Sequence, residues 1–327
     1  IDDEYDLRRQ LFVFSGAAVA GAILVIATYY MPYRLEAFLA PVTVEKGMAD
    51  VGARASGAFM NPNSAAGTLA CAVALMIASM KLSRHQWTKV ISYISIFILF
   101  VAILMTRSRS GFLALGIVLL LMALMSRYNK KVGWSLIIAG VVVGFFFVGA
   151  RELFRERLGQ IYDPMLGAWA QNVEGRFSTW SGYFETASAV DYMVGQGPRR
   201  GRDKNLTESH SAYVSLITVY GIGGLVWGVV VLFLFLRKYA ILKKFPDPFI
   251  HVMASGCLWA LMIWGLYAMT SDALSSYYPR YLLFFTVVLL DRTYAAARQQ
   301  VAAYYAAEAM DESIAEAGRP IADVVYS

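Results

Sequence analysis

Residues 195–210, GQGPRRGRDKNLTESH, run directly into residues 211–236, SAYVSLITVYGIGGLVWGVVVLFLFL. The second stretch holds no Asp, Glu, Lys or Arg and exceeds the ~20 apolar residues that carry a helix across a bilayer. A helix is the form one segment takes in hydrocarbon, because it satisfies its own backbone polar groups. The first stretch ends a polar excursion that begins at Arg151 with RELFRERLGQIYD. Residues 151–210 hold eight of the 29 Lys+Arg and eight of the 23 Asp+Glu. Apolar runs flank the excursion on both sides, so it reads as a loop held at a membrane surface. A connection of this length points to function more than to plain linkage.

Outward from this junction the apolar runs recur at 11–31, 64–80, 88–105, 111–125, 132–150, 250–270 and 281–290. With 58% hydrophobic and 16% charged residues, the pattern predicts an all-α polytopic membrane protein of about eight transmembrane helices. Spans one to five fill 1–150, the outer loop with amphipathic helices fills 151–210, and spans six to eight fill 211–292. The tail, 293–327, reads as an Ala-rich surface helix that frays into coil. Span eight is short, and is expected to begin within Tyr277–Pro279 or to continue past Asp291. Pro62 keeps Asn61 out of the helical region, leaving Asn63 or Ser64 to cap span two. The opening IDDEYDLRRQ has no initiating Met and reads as the middle of a longer protein.

Composition also excludes. The net charge of +6 is spread over loops on both sides, which does not describe a nucleic-acid surface. Cys71 and Cys257 fall inside apolar spans and read as small core residues. No HExxH, CxxC or paired-carboxylate spacing suggests a metal site. Gly195-Gln196-Gly197-Pro198 lacks the Lys-Ser/Thr of a phosphate-binding loop and reads as a turn.

Lys and Arg orient the spans. The ends at 1–10, 81–89, 127–131, 237–244 and the tail carry more than twice as many as the loops at 32–63, 106–109 and 271–280. The first set is therefore expected inside. Arg54, Arg107, Arg109 and the 151–210 loop then lie outside.

Arg107 and Arg109 stand at the outer end of span three, where a charge must snorkel, pair or bind. For Arg107, snorkelling to the headgroups is one reading and ligand binding the other. Arg109 lies deeper, between Ser108 and Ser110-Gly111, small neighbours that let a bulky anion reach the guanidinium. Its fork matches phosphate oxygens in two-point geometry. Within the loop, Phe154, Leu158 and Ile161 share one helical face, as do Phe177, Trp180, Phe184 and Ala187, describing helices in the interface plane. Arg176 opens the second and either pairs with Glu174 or another loop carboxylate, or points into a cavity shared with Arg109. Arg199, Arg200 and Arg202 are solvated charges or contacts for an acidic acceptor. Of three histidines, only His210 falls on the outer side, at the start of a membrane helix capped by Thr207 or Ser209. The helix dipole and burial both favour neutral imidazole there, a form that accepts a proton from a hydroxyl. A hydrogen-bonding cap is the plainer role for such a residue.

Several short motifs occur in order: Arg54-Ala-Ser-Gly-Ala-Phe-Met-Asn61-Pro62-Asn63, Ser108-Arg109-Ser110-Gly111, Arg176 with Trp180, Gly195-Gln196-Gly197, Ser209-His210 with Tyr213, and Tyr220-Gly221-Ile222-Gly223-Gly224. Over roughly residues 50–290 the chain resembles the O-antigen ligase and O-antigen polymerase superfamily of bacterial envelope glycosyltransferases. The resemblance implies transfer of a glycan from a polyprenyl (undecaprenyl) diphosphate carrier to an acceptor hydroxyl at the outer face of the inner membrane. It implies no nucleotide sugar, metal or other cofactor, and Arg109, Arg176 and His210 as the essential residues. Arg54, Arg107, Asn63, Trp180, Arg199 and Arg200 are the expected substrate contacts. The acceptor is lipid A–core for a ligase, a second carrier-linked glycan for a polymerase, or a protein. Two features depart from the family: some four N-terminal spans are missing from this sequence, and the large loop is short for a lipid A–core ligase. A secondary transporter is the alternative class, and would place ionisable residues near the membrane midplane on broken helices.

Overall fold

The computed structural model describes residues 2–30, 55–59, 61–83, 85–106, 108–125, 178, 180–182, 184–185, 187–197, 211–269, 271 and 277–317. Among them the fold is all-helical, with no strand. The helices are α1 (Asp2–Tyr30), α2 (Pro62–Leu82), α3 (Gln86–Met105), α4 (Arg109–Met125), α5 (Ala189–Val194), α6 (Ala212–Leu242), α7 (Pro248–Ala268) and α8 (Tyr277–Ala317). A 3-10 turn, Gly57–Phe59, precedes α2.

Among the described residues, five helices are long and apolar enough to cross a membrane: Glu4–Tyr30 of α1, α2, α3, α6 and α7. Within α4 the apolar stretch Ser110–Met122 is shorter. The expected span at 132–150 lies outside the described residues. The expected span at 281–290 lies in the first third of α8, which starts at Tyr277 and passes Asp291 without interruption. The tail to Ala317 is therefore the same helix as the span, not a separate surface element.

At the centre stands α2, rich in alanine and buried along most of its length. Its small side chains let α7 approach antiparallel. A Cβ on Gly67 would lie 2.7 Å from the Tyr267 ring, and one on Gly256 2.6 Å from the Ala78 Cβ. Between them Cys71 Sγ donates to the Ala260 carbonyl at 3.4 Å. Lipid is as apolar as a leucine side chain, so close packing of small residues does here what water exclusion does in a soluble core. Cys71 and Cys257 are buried in this seam, as their positions in apolar runs suggested.

Cap chemistry sets the helix starts. Asn61 itself caps α2: its backbone is extended (φ −129°, ψ 130°), its Oδ1 accepts from Asn63 N at 2.7 Å, and Pro62 opens the first turn. The cap is thus Asn61, not Asn63 or Ser64, because the extended conformation imposed by Pro62 is the one an N-cap adopts. Asp247 caps α7 in the same way, accepting from Phe249 N at 2.8 Å ahead of Pro248.

The bundle has two chemically different ends. At one, Arg8 donates to the Leu82 carbonyl at 3.0 Å and lies 4.9 Å over the Phe249 ring. Lys238 pairs with Asp291, and Gln300 donates to Asp247 at 2.9 Å. Lys81, Lys243, Lys244 and Arg292 stand at this end too, as do His85, which precedes α3, and His251 in the first turn of α7. We call it the basic end. At the far end, Gly57 N donates to Thr28 Oγ1 at 3.3 Å and Ala55 N to the Met105 carbonyl at 3.3 Å. Trp264 Nε1 donates there to the Pro279 carbonyl at 2.9 Å, and Phe59 meets Tyr278 edge-on at 5.0 Å. Among the described residues, those of the Lys- and Arg-rich segments 1–10, 81–89 and 237–244 therefore gather at one end of the bundle, while 127–131 lies outside the described residues.

Candidate functional site

Among the described residues the far end gathers the starts of four helices, α2, α4, α6 and α8. The turn between α3 and α4 is built from hydroxyls. Thr106 Oγ1 donates to the Ile103 carbonyl at 2.6 Å and accepts from Ser108 N at 3.2 Å. Ser108, almost fully buried, stands 3.3 Å from Ser110 Oγ and accepts from Gly111 N at 3.5 Å. Its carbonyl accepts from Phe112 N at 3.1 Å, so Ser108 is the residue from which α4 departs. Arg109 is the first residue of α4. A Cβ on Gly111 would lie 2.5 Å from the Ala66 Cβ, so glycine there lets the first turns of α4 and α2 touch. Asn63, in the first turn of α2, is half-buried on the same end.

The start of α6 reaches this cluster through α7. Ala212 N donates to the Ser271 carbonyl at 3.1 Å, and Ser271 Oγ donates to Tyr267 OH at 2.6 Å. Tyr267 is fully buried with its ring against Gly67, one residue beyond Ala66. Tyr213 OH donates to the Gly265 carbonyl at 3.0 Å, a second tie between α6 and α7. Contact thus runs from Ala212 through Ser271, Tyr267 and Gly67–Ala66 to Gly111. Helix N-termini carry unpaired N–H groups and a partial positive charge. Four of them, those of α2, α4, α6 and α8, share this end.

Ser211 is the N-cap of α6 (φ −146°, ψ 123°). The helix therefore begins two to four residues later than a cap at Ser209 or Thr207 requires. His210 immediately precedes Ser211, but lies outside the described residues, as do Arg54, Arg107, Arg176, Arg199, Arg200 and Arg202. For Arg109 the structure describes the backbone only.

The α5 helix is docked on α6. Ser178, residues 180–182, Phe184 and Glu185 are helical, with Trp180 half-buried. Phe184 stacks on Tyr192 at 6.3 Å, and Tyr192 OH donates to the Phe184 carbonyl at 2.6 Å. Ser188 and Asp191 form a reciprocal capping box that starts α5. Gly195 ends it, and Gln196 N then donates to the Thr218 carbonyl of α6 at 2.8 Å. That carbonyl is open because α6 breaks at Gly221 (φ 64°, ψ −162°).

The break at Gly221 and the Tyr267–Ser271 bond were not read from the sequence. A glycine facing a Gly-Gln-Gly turn was the available signal for the first. The second joins residues of unremarkable local pattern and left none. No protein-family model matches the chain, and no curated protein matches it.

Proposed function

We propose that the protein is a membrane glycosyltransferase of the O-antigen ligase type. It moves a glycan from a polyprenyl diphosphate carrier to an acceptor hydroxyl at the periplasmic face of the bacterial inner membrane. The observation that carries this reading is the far end itself, where the Ser108-Arg109-Ser110-Gly111 turn and the residue after His210 belong to one packed cluster of helix starts. The basic end then faces the cytoplasm. The chain then has about eight spans, with 132–150 and residues 281–290 of α8 among them.

In the proposed reaction the acceptor oxygen bonds to the anomeric carbon as the bond from that carbon to the diphosphate oxygen breaks. Polyprenyl diphosphate leaves with the electron pair, and the hydroxyl proton passes to neutral His210. The diphosphate is already a good leaving group, so the protein's task is to hold charge as it builds. Arg109 and Arg176 supply that. Attack opposite the leaving group inverts the anomeric configuration. Arg54, Arg107, Asn63, Trp180, Arg199 and Arg200 hold the sugar, the carrier or the acceptor, and no metal takes part.

The break in α6 is a feature that a transporter would also use. Its freed carbonyl accepts from Gln196 N, however, and so is occupied by the chain's own backbone. That favours surface chemistry over a path through the bundle.

The test uses the full-length protein with polyprenyl diphosphate-linked glycan, with and without lipid A–core, and resolves products by size. A single transfer to lipid A–core supports the ligase. A ladder on the carrier without added acceptor makes it a repeat-unit polymerase. Intact carrier in both lanes overturns the enzyme and returns transport to first place.

A further inference from the structure

On α1, Asp6, Arg9 and Gln10 are followed by Val13, Phe14 and Ala17 at spacings of three and four, one continuous stripe along the helix. With Phe285 of α8 the stripe lines an open groove of about 480 Å³ at the basic end, within the ~300–1,000 Å³ typical of small-molecule sites. Phe14 and Phe285 stack at 4.6 Å and close its floor. The neighbouring Arg8 is committed to Glu4, the Leu82 carbonyl and the Phe249 ring. Asp6 and Arg9 are exposed, and among the described residues neither makes an ion pair, even with the other.

We propose that this groove binds one phospholipid with a primary-amine zwitterionic headgroup, of the phosphatidylethanolamine kind. The order of groups along α1 selects it. From the basic end inward come a carboxylate, a guanidinium about 4.5 Å deeper at 1.5 Å per residue, an amide, and then an apolar floor. Such a lipid presents the same sequence from its outer end: an ammonium, a phosphate, the ester groups and the acyl chains. The ammonium donates to Asp6, and the phosphate takes the Arg9 fork. Gln10 donates to an ester carbonyl, and one chain lies over Val13, Ala17 and the two phenyl rings. A phosphatidylglycerol headgroup would set no cation against Asp6. A choline headgroup would bring a cation with no N–H to donate.

The experiment takes the full chain in detergent, stripped of lipid, and adds phosphatidylethanolamine, phosphatidylcholine or phosphatidylglycerol with identical acyl chains. Native mass spectrometry counts adducts, and thermal unfolding reads stabilisation. The wild type is expected to retain one phosphatidylethanolamine, bound at least tenfold more tightly than the other two. Asp6→Asn should erase the preference over phosphatidylcholine, and Arg9→Gln should weaken both zwitterionic lipids about tenfold. Val13→Trp, which fills the apolar part of the groove, should remove the adduct. Both polar positions are exposed, and a single symmetric size-exclusion peak checks that each variant folds. Equal retention of the three lipids, a preference for phosphatidylglycerol, no adduct at all, or discrimination that survives Asp6→Asn overturns the proposal. None of these results depends on whether the far end transfers a glycan.

Discussion

Gly195 and Gly221 meet backbone to backbone, each in a conformation that essentially only glycine adopts (φ 82°, ψ 159° and φ 64°, ψ −162°). A Cβ on Gly221 would lie 2.6 Å from Gly195 N and 2.7 Å from the Met193 carbonyl oxygen. The two glycines make a joint in which a break in one helix accepts the end of another. The Gln196 amide supplies the hydrogen bond that the break removes from Thr218.

Gly221→Ala should therefore be costly twice over, by backbone conformation and by collision. A loss of about 1–3 kcal/mol at this joint is expected. Limited proteolysis should cut within residues 178–210 faster than in the wild type, while cleavage elsewhere is unchanged. An unaltered digestion pattern would show that the joint does not hold this segment.

Gly256→Leu should separate α2 from α7. The glycine sits against Ala78 with no room for a Cβ, and overpacking of a tight contact costs about 1–3 kcal/mol. Thermal unfolding in detergent should shift down, and Ala78→Gly should recover part of the loss. Without that recovery, the contact is not the cause.

Tyr267→Phe removes the hydroxyl that accepts from Ser271 Oγ, a bond of 2.6 Å in a buried setting. The expected stability loss is about 1 kcal/mol. Ser271 also holds Ala212 through its carbonyl, so the change should reach the start of α6. If His210 acts there, kcat should fall several-fold with KM for the carrier little changed. A rise in KM alone would place the effect elsewhere.

His210→Ala should lower glycan transfer by about 10²–10⁴-fold, the usual contribution of a positioned base, without changing expression or unfolding. Near-normal turnover would remove His210 from the mechanism. Arg109→Lys should lose almost as much activity as Arg109→Ala, because an ammonium does not reproduce two-point contact with a diphosphate. Full rescue by lysine would mean that charge alone suffices.

A chelator should leave transfer intact. Activity lost with chelation and restored by a divalent ion would overturn the metal-free reaction.

Much of the fold can be read from local chemistry. Asn61-Pro62 announces the start of α2, Asp247-Pro248 that of α7, and Thr106–Gly111 the reversal between α3 and α4, because caps and prolines act within a few residues. The asymmetry of Lys and Arg separates the two ends for a similar reason, since each charge answers to the nearest interface. Asp291 and Arg292 mark where α8 leaves the apolar region, but not where the helix stops. Polarity ends a membrane span without ending a helix, and Lys238 gives Asp291 a partner.

The helical membrane class, the apolar runs and the chemical difference between the ends are legible in the amino-acid order, because all are properties of windows no longer than one span. Which helices touch, and where one breaks, follows from the packed fold. The contact from Cys71 to Ala260 joins residues 189 positions apart. The Gly195–Gly221 joint exists only because a glycine turn and a glycine break arrive at the same place. Hydropathy belongs to a window of neighbouring residues and reports the medium that the window prefers. Steric fit between distant small residues depends on ångström-scale approach in three dimensions, which no local window contains.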